Sequence, residues 1–312
     1  RWKHRRPAHT PGSSMSSTTL TTHRSIVVGA GSIGIRHHRV LQHLGSTVAT
    51  VSRRPEAGDY RTVSAALASG HPNYVVIATE TERHLESLES LIDCGYSGQV
   101  LLEKPILDQP VPLPTLPFSS ISVGYHLRFH PAVRQLRSAL DSTQVLSAQV
   151  RYGQYLPDWR PGRDYRETVT AGPGGGVLLE LSHELDLIQW LLGPAEVIQG
   201  RTVSSGLFDM EREDLAVGLL YLQSGGLVSL ELNCLDRVQN RTMTVTTSDH
   251  FFRLDLISGS LERDGETICH HPVARDDVFT SMHRAAIARQ PDMCTVDEAM
   301  AVLYLVEDLR VP

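Results

Sequence analysis

Apolar and polar positions alternate along this chain in blocks that change period. Ile26, Val27 and Val28 form a short unbroken apolar run. A glycine-rich turn follows, then a stretch with Ile33, Val40, Leu41 and Leu44 at helical spacing that stops at Gly45. A second run covers 47–52. The pattern then repeats: an apolar run over 74–78, a turn at Thr79-Glu80-Thr81, and a helix with Leu85, Leu88, Leu91 and Ile92 on one face, ending at Gly95. The segment "GQVLLEKP" supplies another strand. Short strands alternating with helices specify a doubly wound, mainly parallel sheet that binds its ligand beyond the carboxyl ends of its strands.

The second half changes character. The segments 145–153, 195–205, 215–235 and 241–263 read as strands joined by Ser-Gly-Gly and Ser-Gly-Ser turns. Between them Leu178, Leu181, Leu185, Ile188 and Leu192 step by three and four, which predicts a helix over 177–192 with one buried stripe. The final helical stretch has Thr295 with Glu298 three residues on, the signature of a capping box.

A length of 312 residues favours two domains. Hydrophobic residues at 41%, charged residues at 21% and a formal net charge of -6 describe an ordinary globular protein and argue against a general polyanion binder, so no nucleic acid partner is expected. Residues 1–22 open with a basic cluster and continue without apolar periodicity. They are read as a disordered tail or an expression remnant, with Met15 as the native start. This segment lacks the apolar core of a signal peptide, no stretch of the chain has the apolar length of a membrane span, and a cytoplasmic location is expected. Cys94, Cys234, Cys269 and Cys294 are scattered without a CxxC pair, which suits reduced thiols, and "CHH" at 269–271 lacks the second cluster that a metal site needs. No metal is expected.

The chemistry begins in the first turn. Gly29-Ala-Gly31-Ser-Ile-Gly34 lies between a strand and a helix, the context in which GxGxxG binds a dinucleotide. Gly29 permits the turn, Gly31 removes a side chain from the path of a pyrophosphate, and Gly34 allows close packing. After the second strand an Asp or Glu would hold the ribose of NAD, whereas this chain has Ser52, Arg53 and Arg54. Two guanidiniums suit the 2'-phosphate of NADP, which is favoured over NAD; the same residues also read as a solvated turn before Pro55. Glu103 and Lys104 sit at a strand end. A partly desolvated lysine there could exchange a proton with a substrate hydroxyl, and the pair reads equally well as surface charges opening a loop. Glu180 and His183 are three apart on the expected helix, so the carboxylate could orient the imidazole, or both could belong to an ordinary polar face. In "YLPDWRPGRDYR", Trp159 offers an aromatic face for a sugar, and Arg160, Arg163 and Arg166 offer forks for a carboxylate or phosphate; a Pro-rich connecting loop is the alternative.

The runs "GAGSIGIRHHRVL", "VVIATETERH", "LLEKP", "GYHLRFHPAV" and "GGGVLLELSHELDLIQWLLG", in this order over roughly residues 24–195, resemble the Gfo/Idh/MocA family of NAD(P)-dependent oxidoreductases, most of which act on sugars, inositols or their derivatives. The resemblance implies an N-terminal Rossmann domain (residues 23–123) and a C-terminal α/β domain (residues 124–312) with a large open, mostly antiparallel sheet. That sheet is implied to form the substrate side and a homodimer or homotetramer interface. The resemblance also implies that Lys104 is the catalytic lysine, with His183 and Glu180 completing the catalytic set. Family members commonly have three residues between acid and histidine after the glycines, whereas Glu180 and His183 have two, so His183 carries over more directly than Glu180. The cofactor-binding set is expected to be Gly29, Gly31, Ser32, Ile33, Gly34, Ser52, Arg53, Arg54, Thr79, His84, Glu103 and Lys104. Tyr125, Arg128, His130, Trp159, Arg160, Arg166 and His183 are expected to bind substrate. The leading expectation is hydride transfer between nicotinamide and a sugar carbon, with an acidic or nucleotide-linked sugar as substrate. Its rivals are a lyase or hydrolase that recycles a tightly held nicotinamide, and a non-catalytic sensor of the same fold.

Overall fold

Parallel strands that are buried on both faces must be nearly all apolar. The central runs 26–28, 74–77 and 100–102 are of this kind, whereas the two edge strands of their sheet carry Thr47, Thr50, Ser120 and Ser122. A computed structural model describes residues 23–160, 162, 164–172 and 174–311. The expected tail of residues 1–22 and Arg163 lie outside the described residues. Strands β1 (Arg24–Val28), β2 (Thr47–Val51), β3 (Tyr74–Ile77), β4 (Gln99–Leu102) and β5 (Ser120–Val123) form one parallel sheet in the order β2-β1-β3-β4-β5. Helices α1 (Ser32–His43), α2 (Val63–Ala68) and α3 (His84–Asp93) connect them. The register brings Val51, Val28, Ile77, Leu102 and Val123 into one row at the carboxyl ends. Ser52, Gly29, Ala78, Glu103 and Gly124, the next residues along each strand, therefore share one rim of the sheet.

After α4 (Pro131–Leu140) the chain builds a second sheet. Strands β6 (Val145–Gly153), β7 (Ala195–Val203), β8 (Leu215–Leu222), β9 (Leu227–Asn233), β10 (Asn240–Thr247), β11 (Phe251–Asp255), β12 (Ser260–Arg263) and β13 (Glu266–His270) lie in the order β13-β12-β11-β10-β6-β9-β8-β7. Only the β6–β9 pairing is parallel. Alternation along the strands gives the sheet two unlike faces. One buries Ala148, Val150, Ala216, Leu220, Val228, Leu230, Val245 and Leu254 beneath the helical layer, whereas Leu146, Val217, Leu219, Tyr221, Leu227 and Phe251 are exposed on the other. The expected helix over 177–192 is two helices, α5 (Val177–Glu180) and α6 (His183–Leu192), with a turn at Leu181 and Ser182. The whole leucine stripe is nevertheless buried.

Helices α7 (Arg275–Ile287) and α8 (Val296–Arg310) close the chain, and α8 carries the capping box expected at Thr295 and Glu298. Helix α7 returns to the first sheet. Its Val278, Phe279, Met282, Ala285 and Ala286 share a buried cluster with Val27, Val40, Leu41, Tyr74, Val76 and Leu101. Each large side chain buried this way contributes about 1.5–3 kcal/mol. Beyond α7 the main chain pairs with β5, Val123 N–H donating to Cys294 O at 2.9 Å. The unit built on the first sheet is thus completed by the C-terminal part of the chain.

Candidate active site

A cleft of about 840 Å³ runs along the rim of the parallel sheet and under the segment after β6. Gly29 turns the chain at φ 114°, and a Cβ there would lie 2.2 Å from Ala78 O. A Cβ on Gly34 would lie 2.0 Å from Gly29 O, so Gly34 packs helix against turn. A Cβ on Gly31 would meet nothing within 4 Å, which leaves room for a ligand. No side chain caps the N-terminus of α1, so the first N–H groups of that helix face the cleft ready for an anion. An open glycine and an uncapped helix start fit the pyrophosphate of a dinucleotide.

At the other end of this rim Ser52 accepts a hydrogen bond from Arg54 N–H at 3.2 Å, Arg54 reaches back to Ala30 O at 2.5 Å, and Arg53 pairs with Glu86 of α3. Glu86 also accepts from Arg83 at 3.1 Å, and its carboxyl is held below its ordinary range chiefly by that bond. Glu80, Arg83, Glu86, Arg61 and Thr62 line the cleft here, although sequence reasoning missed them. Their side chains come from α2, α3 and its entry, where no motif marks them.

Deeper in the cleft, Lys104 is half-buried and donates to the main-chain oxygen of Glu180 at 2.7 Å. Burial pulls the lysine below its ordinary value, opposed by the charges of Glu180 and Glu103. The Lys104–Pro105 peptide is cis. His84 lies behind this turn, off the cleft, and donates from Nδ1 to the carbonyls of Pro105 (3.0 Å) and Ile106 (3.2 Å). It therefore positions the lysine turn instead of touching a cofactor. His183 opens α6 and lines the cleft. Its ring meets Tyr125 edge-on at 5.5 Å and His126 at 4.4 Å, and its buried Nδ1 has no partner among the described residues. Burial, then the nearby His126 and Lys104, lowers the His183 pKa well below the usual imidazole value, which leaves a neutral base. His126, stacked on Phe279 at 4.4 Å, also lines the cleft. It escaped notice inside "GYHLRFHPAV" because its neighbours Tyr125, Arg128 and His130 were the ones expected to face substrate.

Several expected roles are corrected by this geometry. Glu180 does not orient His183: the break between α5 and α6 separates them, and the Glu180 carboxylate accepts from Thr170 at 2.9 Å. Arg128 is 1% exposed and lies off the cleft, with Asp186 and Glu298 occupying its guanidinium. Tyr125 is buried behind His183, and its hydroxyl lies 3.5 Å from Ser182 Oγ. Arg166 is exposed and folds onto Asp164, away from the cleft. Gly34 is likewise structural. Trp159 and Arg160 do line the cleft, with the indole N–H fixed on Gln154 O at 2.8 Å. Arg36 and Arg275 add two cations that the sequence patterns gave no reason to select.

His130 is an N-cap instead of a substrate ligand, its Nδ1 accepting from Ala132 N–H at 3.2 Å. Burial lowers its pKa to about 4. An ordinary histidine of the unfolded chain protonates near about 6.5, so the unfolded state binds the extra proton first and stability falls as pH drops from there toward 4. His130→Asn keeps a capping acceptor without the titration. It is expected to lessen the acid loss of melting temperature relative to wild type, and identical pH profiles for the two proteins would refute this.

Residues 132–252 match the family model of the GFO/IDH/MocA C-terminal domain. That segment, 121 of the 312 residues, is similar to the C-terminal domain of the Gfo/Idh/MocA family. Among solved structures, the chain is similar to UDP-N-acetylglucosamine 3-dehydrogenase from Acidithiobacillus ferrooxidans at 20% identity and a TM-score of 0.74, covering 92% of this chain and 96% of that one. It is also similar to the WlbA dehydrogenase from Bordetella pertussis, solved with NADH and UDP-GlcNAcA, at 19% identity, TM-score 0.71, and 92% and 94% coverage. A third is an oxidoreductase from Agrobacterium radiobacter in complex with NAD+, L-tartaric acid and magnesium, at 15% identity, TM-score 0.72, and 92% and 95% coverage. The comparison with curated proteins gave no match. These likenesses show the two-sheet fold expected of a Gfo/Idh/MocA chain. Among the described residues no helix is long and apolar enough to cross a membrane, and no group of three or more metal-ligating side chains is found.

Proposed function

We propose that this chain is a nicotinamide-dependent oxidoreductase of the Gfo/Idh/MocA kind that moves hydride between the cofactor and a CH–OH carbon of a sugar derivative. The observation that carries the reading is that Lys104 and a neutral His183 face the same cleft as the open dinucleotide turn. When bound, the nicotinamide supplies the hydride acceptor or donor. The remaining work belongs to the protein. Gly31 and the start of α1 hold the phosphates, Lys104 or His183 takes the hydroxyl proton as the C–H bond breaks, and the cleft walls align the carbon. A ligand sensor has no need of paired proton-transfer groups, and this disfavours the non-catalytic alternative.

The substrate class is a sugar with an acidic or nucleotide group. Trp159 offers an aromatic face, Arg160 and Arg275 are cations on the cleft that form no ion pair among the described residues, and the similar Bordetella pertussis dehydrogenase was solved with UDP-GlcNAcA. Residues 23–123 with α7 would form the cofactor unit, and the second sheet the substrate side. The exposed apolar face around Val217, Leu219 and Tyr221 supports a homodimer or homotetramer. Light scattering should then give a multiple of 34.5 kDa, and a mass of one chain would refute it.

NADP is the proposed cofactor, on the strength of Arg53 and Arg54 lining the adenosine end. Glu86 favours the second reading, NAD, because it already occupies Arg53. Both partners of that pair are more than half exposed, so a phosphate can displace the carboxylate at a cost of about 1 kcal/mol or less. Titration by cofactor fluorescence separates the two. Arg53→Ala is expected to weaken NADPH binding about tenfold and NADH binding less than about twofold. Equal losses for both would assign the site to NAD, and no binding of either would sink the oxidoreductase reading itself.

A further inference from the structure

Four buried polar groups run in single file away from the cleft. Glu103 Oε1 lies 2.8 Å from His37 Nε2, His37 Nδ1 lies 2.8 Å from His283 Nε2, and His283 Nδ1 lies 3.0 Å from the Tyr74 hydroxyl. Their exposures are 6%, 0%, 0% and 1% in that order. They come from four elements: the end of β4, α1, α7 and β3. Only Glu103 faces the cleft.

Hydrogen-bond accounting fixes the direction of this file. A carboxylate only accepts, and Glu103 accepts from Lys104 N–H at 3.2 Å through its other oxygen. His37 must then donate from Nε2, and the far end of the file decides that its Nδ1 accepts. His283 in turn donates from Nε2 and accepts at Nδ1, so the last hydrogen comes from Tyr74. Reversing the file would leave the Tyr74 hydrogen without an acceptor inside the core, a cost of about 1–3 kcal/mol. Burial, and then the nearby Glu103 charge, also pushes Tyr74 well above its ordinary pKa, so its proton stays in place. His283 faces His37 and Tyr74, and His37 faces Glu103, His283 and the Phe279 ring. Burial lowers His283, which keeps it neutral.

We propose that Tyr74, His283 and His37 form a one-way hydrogen-bond relay that holds Glu103 as an acceptor at the strand end carrying Lys104, with His283 a positioning residue supplied by the C-terminal part of the chain. Its kinetic consequence rests on the oxidoreductase reading above. The relay ends in a closed core, so it orients and does not exchange protons with solvent. Docking of α7 is thereby coupled to the geometry of the lysine turn, because loss of His283 frees His37 to turn and releases one oxygen of Glu103.

Two measurements test this. In the full chain labelled with 15N-histidine, with resonances assigned through His37→Asn and His283→Gln, both rings are expected to be neutral with the proton on Nε2 from about pH 6 to 8. A doubly protonated ring, or a proton on Nδ1 of either, would overturn the relay. In turnover assays with UDP-N-acetylglucosamine and NAD+ or NADP+ as probes, His283→Leu is expected to lower kcat at least about tenfold with KM for the cofactor within about threefold. His283→Gln, whose amide both donates and accepts, should recover to within about threefold of wild type. Turnover by His283→Leu at the wild-type rate would also overturn it. If the wild type binds neither cofactor, the function fails while the nitrogen spectra still decide the relay.

Discussion

Lys104→Met is expected to lower kcat about a hundred- to ten-thousand-fold while leaving nicotinamide dinucleotide affinity within about threefold. Methionine keeps an apolar stem of similar length in the half-buried slot and removes only the amine. The lysine reaches the cleft because Leu102 ends its strand in register with Ile77 and Val28, so the next two residues project beyond the sheet beside the glycine turn. Burial lowers its pKa, which brings the amine nearer to the proton it has to exchange, and the charges of Glu180 and Glu103 oppose that shift. Lys104→Arg restores charge without an exchangeable amine of suitable basicity, and should remain within about tenfold of Lys104→Met. The rate of change in reduced-cofactor absorbance with a panel of keto-sugars and sugar nucleotides is the measurement. A Lys104→Met protein that turns over at the wild-type rate would remove the lysine from the mechanism and leave His183 as the sole candidate. Adding His183→Asn to Lys104→Met should cost little more than either change alone, because groups that handle one proton act as a unit.

The parts of this site that could be read from the sequence are those whose chemistry is local. The glycine turn, the end of β2 and the Glu103-Lys104 strand end each announce themselves within a few residues, because period-2 and period-3.6 patterns place them at the carboxyl rim of one sheet. What could not be read is long-range. Glu86 pairs with Arg53 across 33 positions, and His283 reaches His37 across 246. Helix α7 gives only a weak pattern because two of its buried positions are alanines and a third is His283. Periodicity also misled where it was strongest. The unbroken leucine stripe of 177–192 concealed the turn at Leu181 and Ser182, since a one-turn helix and its successor can bury one continuous face. That break moves the Glu180 carboxylate onto Thr170 and lets its main-chain carbonyl accept from the lysine.

Asp186→Ala is expected to destabilise the fold by about 3–5 kcal/mol, measured by urea unfolding. Asp186 is fully buried and takes three contacts from Arg128: two from Nε at 3.1 and 3.0 Å, and one from Nη2 at 2.5 Å. Removing the carboxylate leaves a guanidinium in the core with one remaining partner, Glu298, which is 45% exposed and already engaged in the cap of α8. Trp190, 5.5 Å from that guanidinium, cannot replace the lost acceptor. The same logic makes the double change informative. Arg128→Met with Asp186→Leu deletes both charges and fills the space with apolar atoms, so it should recover most of the stability lost by Asp186→Ala. If Arg128 instead served substrate, the double variant would fold but bind a charged sugar about tenfold more weakly. Unchanged substrate KM in a stable double variant is the outcome that the buried position of Arg128 predicts, because its guanidinium lies off the cleft and joins the turn after β5 to α6 and α8.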